Sequence, residues 1–419
     1  MRVLIVNTSE RTGGAALAAN RLMMALNNNG AKAKMLVRDK ETDSLTVVGL
    51  PKTLLPDWHF LWERLVVLMR CGFSRKHLFD IDLANTGYDI TKLREFQEAD
   101  VIHLHWINQG MLSLNVIRKI LRSGKPVVWT MHDIWPATAI CHITLGCRRF
   151  TSRCRNCRLL PGGGSGNDLS TAVWRRKEKI LEDSSIYFVA CSHWLEQEAK
   201  ASALLKGQKI VSIPNPIDTH VFHRGDRLAA RRSLGLPEDK RLVLFVSQRV
   251  TNKYKGMVYL VEACSKIADI PQLGVMVLGG HSEEVTGQIP FDTYPLGYVN
   301  DEKRIVEIYQ AADVFVLPSL SENLPNTIME AMACGVPCVG FKVGGIPEEI
   351  DHKVNGYIAA YRDSDDLARG IRWILCEADY EQLCKETVRK VSHCYSQQAV
   401  AMAYLDVYHQ AMAFKHYML

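Results

Sequence analysis

In the segment Ser319-Leu-Ser-Glu-Asn-Leu-Pro-Asn-Thr-Ile-Met-Glu-Ala-Met-Ala-Cys-Gly-Val-Pro, seven residues separate Glu322 from Glu330. Pro325 suits the first position of a helix, where its missing N–H costs nothing. Leu324 has no side-chain oxygen to cap with, so the opening N–H groups are left for an outside partner. Uncapped donors at the positive end of a helix dipole attract an anion, and a nucleoside diphosphate is one. Glu322 then belongs to the loop before the helix, and Glu330 sits about one and a half turns into it. The plainer alternative is a first-turn acid and a surface glutamate, each satisfying the dipole.

A second segment, Phe245-Val-Ser-Gln-Arg-Val-Thr-Asn-Lys-Tyr-Lys-Gly-Met, leaves a strand and enters a helix. Arg249 and Lys255 fall at the carboxyl edge of the sheet. A departing diphosphate needs fixed cations or a metal there. Lys253 competes for the second place, but Lys255 is next to Gly256 and the helix start; the alternative is a pair of solvated loop cations. Thr12-Gly13-Gly14-Ala15-Ala16 follows the opening strand, and its glycines allow close backbone approach to a ligand. It lacks the full G-x-G-x-x-G pattern, so a simple tight turn is its rival reading. His132, in Thr130-Met-His-Asp, ends a strand at the same kind of edge; a satisfied core histidine or, less well supported, a metal ligand are the alternatives. His103 and His105 alternate along one strand and read as structural.

Cys141, Cys147, Cys154 and Cys157 are spaced C-x5-C-x6-C-x2-C. Four thiolates suffice for a closed structural zinc site, and Arg148, Arg149, Arg153, Arg155 and Arg158 would surround them with positive charge. A zinc-stabilised loop is the expectation, against two disulfides or free thiols. No helix with base-reading spacing follows, so a nucleic-acid module is not indicated. In Leu54–Arg70, Trp58, Phe60, Trp62, Leu65, Val66 and Met69 make an amphipathic stripe. It reads as a helix packed on its own domain; peripheral contact with a membrane, or cover for a lipid-linked acceptor, is the alternative.

The elements that must hold these residues are short β-branched runs separated by helix-length spacers. Strands are expected over Arg2–Asn7, Ala33–Val37, Val101–His105, Pro126–Met131, Ile186–Ala190 and Ile210–Ile213. The pattern restarts with Arg241–Ser247, Gly274–Leu278, Asp313–Leu317 and Pro337–Phe341. Helices are expected over Gly13–Asn29, Gly256–Ile267 and Gln397–Tyr417. Such alternation implies parallel sheets, and ligands of open parallel sheets bind at the carboxyl ends of the strands. The 419 residues exceed one ordinary core, so the expected class is α/β with two Rossmann-like doubly wound domains facing across a cleft. Ile213-Pro214-Asn215-Pro216-Ile217 is a rigid joint between them. The formal charge is +6 with no long basic run, which gives no support to nucleic-acid binding. No apolar run is long enough to span a bilayer and the N-terminus runs straight into a strand, so the expected location is cytoplasmic, at most peripheral at the inner face of the membrane.

The E-x7-E segment, Arg249 with Lys255, the glycine loop and Thr-x-His-Asp together resemble retaining glycosyltransferases of family 4, with the GT-B architecture. The resemblance covers nearly the whole chain and is strongest from Arg241 to Gly356. It implies Glu322 beside the donor sugar, with Asn323, Leu324, Asn326 and Thr327 around it. It further implies Glu330 on the ribose hydroxyls, Arg249 and Lys255 on the diphosphate, and Gly13 and Gly14 near that diphosphate and the acceptor. His132 is a functional histidine, on a sugar hydroxyl or in the acceptor site. Catalysis then needs no cofactor and no metal, and a structural zinc is separate from it. The implied domains are 1–213 on the acceptor side, 214–395 for the donor, and a helix 396–419 returning to the first. The implied partners are a UDP- or GDP-sugar donor and a saccharide or lipid-linked saccharide acceptor, with no nucleic acid, in bacterial surface polysaccharide synthesis. Two rivals are a nucleotide-sugar epimerase or phosphorylase of the same architecture, and a non-catalytic sugar-nucleotide-binding subunit.

Overall fold

The structure, a computed structural model, describes residues 1–51, 53–182 and 184–416, the side chains of 415 and 416 excepted. The chain divides into two compact units, Met1–Pro214 with Val400–Leu419, and Asn215–Ala399. The division falls inside the Pro-Asn-Pro joint.

The first unit is built on seven parallel strands: β1 (Arg2–Ser9), β2 (Lys32–Asp39), β3 (Val47–Gly49), β4 (Val101–Leu104), β5 (Val127–Met131), β6 (Tyr187–Ala190) and β7 (Lys209–Ser212). Their order is β3-β2-β1-β4-β5-β6-β7. The second unit holds six: β8 (Arg241–Arg249), β9 (Leu273–Gly280), β10 (Asp292–Gly297), β11 (Val314–Leu317), β12 (Cys338–Phe341) and β13 (Gly356–Ala359), ordered β10-β9-β8-β11-β12-β13. Every pairing within the two sheets is parallel. Each sheet runs outward from its first strand on both sides, so each has a switch point: β1 beside β4, and β8 beside β11. Strands such as Val314-Phe-Val-Leu are buried throughout because helices cover both faces, which explains their unbroken apolar runs.

Three strands went unpredicted: β3, β10 and β13. All three lie at sheet edges. β10 carries Pro295 and is largely exposed, so its sequence lacks the apolar run of an inner strand. The last helix, Gln397–His416, buries Val400, Tyr404, Val407, Tyr408 and Ala411 in one core with Val3 and Ile5 of β1 and Val128 of β5. Tyr417, the end of the helix expected there, lies outside the described residues.

The helix Leu55–Arg70 departs from expectation. Pro56, Glu63, Arg64 and Val67 are its buried residues. Glu63 accepts from the backbone N–H groups of Leu83, Ala84 and Gly110, while Arg64 is ion-paired to Asp82. Its inner face is thus anchored by charge; of the stripe expected to pack inward, Phe60 and Val66 are half-buried, Val66 against the core, while Trp58, Trp62, Leu65 and Met69 face solvent.

Candidate active site

In the second unit, the loops that leave β8 and β11 lie on either side of the switch point, where an open parallel sheet binds its ligand. Two backbone contacts join them, and two more hold the β11 loop to the loop after β12. Gly256 has φ 71°, and a Cβ there would stand 1.8 Å from the Pro318 carbonyl oxygen. Leu320 N–H donates to the Tyr254 carbonyl at 2.8 Å. Gly344 has φ 57°, with room for no side chain against the Glu322 carbonyl, and Gly345 N–H donates to the Asn323 carbonyl at 2.8 Å. Only glycine allows both the left-handed backbone and that approach. The loop Pro318–Pro325 is therefore fixed from two sides.

This clamp sets Lys255 Nζ 2.5 Å from Glu322 Oε1. The helix Asn326–Ala333 follows, with Pro325 at its cap position and no side-chain cap. Pro325 thus precedes the first helical residue instead of occupying that place, one step from expectation, and the opening amides remain uncapped. Asn326 Oδ1 accepts from Asn215 Nδ2 at 3.1 Å, which ties the joint to the helix start. Leu324 is buried, and Thr327 stands in the first turn with Asn326. Glu330 is 7% exposed and accepts from the Tyr309 hydroxyl at 2.8 Å. Arg249 lines an open hollow of about 740 Å³ with Gln248, Thr251, Asn252, Gly280, His281 and Tyr298. Lys255, Glu322 and Glu330 are not among its walls. The structure thus joins Lys255 to Glu322 and places Arg249 and Glu330 on neighbouring elements of the same switch point. Lys253, in the same turn as Lys255, is exposed.

A further carboxyl went unremarked in the sequence. Glu349 is fully buried, and neither of its carboxylate oxygens has a hydrogen-bond partner. Burial, then the negative charges of Glu322 and Glu348, push it well above the ordinary carboxylate range, so it is carried as the neutral acid. No sequence signal separates it from its exposed-looking neighbour Glu348.

In the first unit, Gly13 has φ 90° and precedes the helix Gly14–Asn28, which also opens without a side-chain cap. His132 follows β5, half-buried. Its Nε2 lies 2.8 Å from His105 Nδ1, and its Nδ1 lies 3.5 Å from the Cys191 thiol. His105 Nε2 is buried with no partner. An unpaired buried N–H is costlier than an unpaired lone pair, so His105 is read as donating from Nδ1 to His132. His132 then carries its proton on Nδ1, toward a thiol, which is a weak acceptor that a ligand hydroxyl oxygen can outcompete. Burial lowers His132 to about 4, so the imidazole is neutral at pH 7. The "structural" histidines are thereby part of its setting: His103 bonds Thr130 and Tyr408, and Thr130 bonds Tyr404 of the last helix.

Next to His132, Asp133 Oδ2 accepts from the Trp106 indole at 2.9 Å and lies 2.7 Å from His142 Nδ1. The other nitrogen of His142 lies 2.6 Å from Asp82 Oδ2. Burial alone would lower His142, but the Asp133 and Asp82 carboxylates outweigh it and raise it to about 10. It is a buried imidazolium held between two carboxylates. Nothing local in the sequence joins His142 to Asp82.

The four cysteines expected to hold a structural zinc lie in this unit. Cys141, Cys147, Cys154 and Cys157 are free and sit near enough to influence one another's ionisation. Yet among the described residues no group of three or more His, Cys, Asp or Glu side chains is placed to hold a metal ion. Burial pushes the Cys141 thiol up to about 11 and Cys154 up to about 12. Cys154 and Cys157 lie against the main core of the unit.

Two doubly wound units of parallel strands define a GT-B protein. Residues 12–221 match the model described as Glycosyltransferase Family 4, and residues 226–391 match that of Glycosyl transferases group 1. A D-inositol 3-phosphate glycosyltransferase of Catenulispora acidiphila is 32% identical over 75% of this chain and 71% of its own. An uncharacterised glycosyltransferase of Methanocaldococcus jannaschii is 26% identical over 80% of this chain and 90% of its own. Among solved structures, sucrose-phosphate synthase of Thermosynechococcus elongatus aligns with TM-score 0.66 at 19% identity, covering 98% of this chain and 99% of that one. HepE of Anabaena, solved with UDP-glucose, aligns with TM-score 0.63 at 17% identity over 97% and 99%. The chain belongs to glycosyltransferase family 4.

Proposed function

We propose that this enzyme transfers a hexosyl residue, with retention, from a UDP- or GDP-sugar to a saccharide or lipid-linked saccharide acceptor in bacterial surface polysaccharide synthesis. The observation that carries this reading is the Lys255–Glu322 pair, held by glycine-dependent contacts at the opening of an uncapped helix. Both partners are half-buried, and each bond is charge-assisted, but a diphosphate offers Lys255 more charge and more acceptor oxygens than one carboxylate does. A diphosphate can therefore take Lys255 from Glu322 and leave Glu322 beside the sugar.

In this reading Lys255, Arg249 and the amides of Asn326 and Thr327 neutralise the diphosphate, and Asn323 and Leu324 shape the sugar's loop. Glu330 binds the ribose, oriented by Tyr309. The bond from the anomeric carbon to the β-phosphate oxygen breaks, the acceptor oxygen bonds to the same face of that carbon, and its proton passes to the departing phosphate oxygen. Fixed cations at the leaving group supply what a metal otherwise would. In the first unit Gly13, Gly14 and neutral His132 serve the acceptor side, His132 as donor to a hydroxyl. The Catenulispora relative is named for a phosphorylated inositol acceptor. That gives weight to a polyhydroxylated acceptor and no further detail.

Thermal-shift measurements with UDP-, GDP-, ADP- and dTDP-sugars test the donor, since the true one stabilises the fold by mass action. Calorimetry of Glu330→Ala and Lys255→Met then tests the residues. Each variant is expected to lose about tenfold or more in nucleotide affinity with little change in melting temperature. Unchanged affinity in both would remove the assignment. Donor consumption without acceptor would indicate an epimerase, and tight binding without turnover a non-catalytic subunit.

A further inference from the structure

The helix Leu55–Arg70 is turned inside out relative to an ordinary surface helix. Leu55, Trp58, Leu61, Trp62, Leu65 and Met69 fall within about 120° of one another at 3.6 residues per turn, along about 20 Å of helix. All six are exposed, Trp58 to 57% and Leu61 to 61%. Trp58 and Trp62 stack with centroids 5.8 Å apart, one turn from each other on the outer side. Leu54 before the helix and Phe73 just beyond it extend the apolar strip, at 86% and 74% exposure. The opposite face is the packed one, through Glu63, Arg64 and Val67. The stripe therefore does nothing for the core of its own unit, and a contiguous exposed apolar surface of this kind marks an interaction site.

The surrounding charge indicates what covers it. Arg70, Arg75 and Lys76, at and beyond the helix end, are exposed and belong to no ion pair among the described residues. Gly72 lies against Pro161, which brings the segment carrying exposed Arg155 and Arg158 to the same end. Of the acids between residues 54 and 80, Glu63 is buried, Asp57 lies at the far end of the helix, and exposed Asp80 beside His77 is outnumbered by the cations around it. Stacked tryptophans, an aliphatic strip and a cationic flank match the interfacial layer of an anionic membrane. There the indoles rest at headgroup depth and basic side chains meet lipid phosphates. A second copy of the chain would bring the same cations and only Asp57 and Asp80 to meet them.

We propose that the outer face of the helix Leu55–Arg70 seats the enzyme on an anionic lipid bilayer, with Trp58, Leu61 and Trp62 inserted and Arg70, Arg75 and Lys76 over the headgroups. Among the described residues no helix is long and apolar enough to cross a membrane, so the contact is peripheral. The proposal does not depend on the donor-site reading, and its test contains no nucleotide.

The full chain is sedimented with vesicles of phosphatidylcholine alone or of phosphatidylcholine mixed with phosphatidylglycerol. Partitioning onto the mixed vesicles is expected to exceed that onto phosphatidylcholine by about tenfold, and to fall as salt is raised. Trp58→Gln with Leu61→Gln and Trp62→Gln is expected to lower partitioning by about tenfold or more without moving the melting temperature. Leu61→Gln alone serves if the triple variant melts early. Arg70→Gln with Arg75→Gln and Lys76→Gln should erase the preference for phosphatidylglycerol. Wild-type protein left in the supernatant with both vesicles would overturn the proposal. So would triple-variant binding equal to wild type, or light scattering that shows a dimer which the triple variant converts to monomer.

Discussion

At the scale of single residues, the polar interior of the first unit makes its own pH signature. His142 lies between Asp133 and Asp82, and their charges raise it from 6.5 to about 10. A histidine whose folded value lies above its unfolded one adds stability that is fully present below the unfolded value and is lost as pH rises through the folded one. The window is therefore pH 6.5 to about 10. His142→Gln keeps a polar group between the carboxylates but cannot carry the charge. Melting curves from pH 6 to 10 should show the wild-type advantage over the variant shrinking by several degrees as pH rises, since about 1 kcal/mol moves the melting temperature of a unit this size by about 2–4 °C. A constant difference across the range would mean that His142 is neutral in the fold. Donor affinity should be unchanged, because His142 is not among the residues assigned to the donor.

At the scale of elements, the loops carry the specificity and the glycines carry the loops. Gly256 and Gly235 both hold left-handed backbone, at φ 71° and φ 67°. A Cβ on Gly235 would meet no atom within 4 Å, whereas one on Gly256 would enter the Pro318 carbonyl. Gly235→Ala thus incurs backbone strain alone, about 1 kcal/mol, while Gly256→Ala must also push the loop Pro318–Pro325 away, for a total of about 1–3 kcal/mol. Because that loop holds Glu322 against Lys255, Gly256→Ala should weaken nucleotide binding and Gly235→Ala should not; equal effects in calorimetry would sink the clamp. Much of this was legible in sequence. Strands β8 and β11 were read from their apolar runs, and Gly256 from its place beside the helix start. What sequence could not supply was the pairing across loops: Gly344 against Glu322 and Tyr254 against Leu320 join residues with no shared local pattern. The edge strands β3, β10 and β13 escaped because an edge tolerates proline and polar residues that an inner strand does not. Spacing gives the number of thiols in the cysteine cluster, but their burial is set by the fold around them. The outward stripe of Leu55–Arg70 was visible as a period, yet only the buried Glu63 and Arg64 show which face turned inward.

At the scale of the whole molecule, the two units differ in what they need in order to fold. The second, Asn215–Ala399, has its own sheet and a core drawn from residues 243 to 383, with no element borrowed from outside. The first borrows its last helix from the far end of the chain, and Tyr404 and Tyr408 of that helix bond Thr130 and His103 in its interior. Removing residues 400–419 would expose the apolar face over Val3, Ile5 and Val128 and take the Tyr404 and Tyr408 hydroxyls away from Thr130 and His103, which keep only each other. Marginal stability of about 5–15 kcal/mol does not survive such a loss. A fragment of residues 215–399 should therefore melt cooperatively and be stabilised by the same nucleoside diphosphate that stabilises the full chain. A fragment of residues 1–214 should show no cooperative melt until residues 400–416 are rejoined to it. If the first fragment melts cooperatively but ignores the nucleotide, Lys255, Glu322 and Glu330 are not sufficient for donor binding, and groups of the first unit must contribute to it.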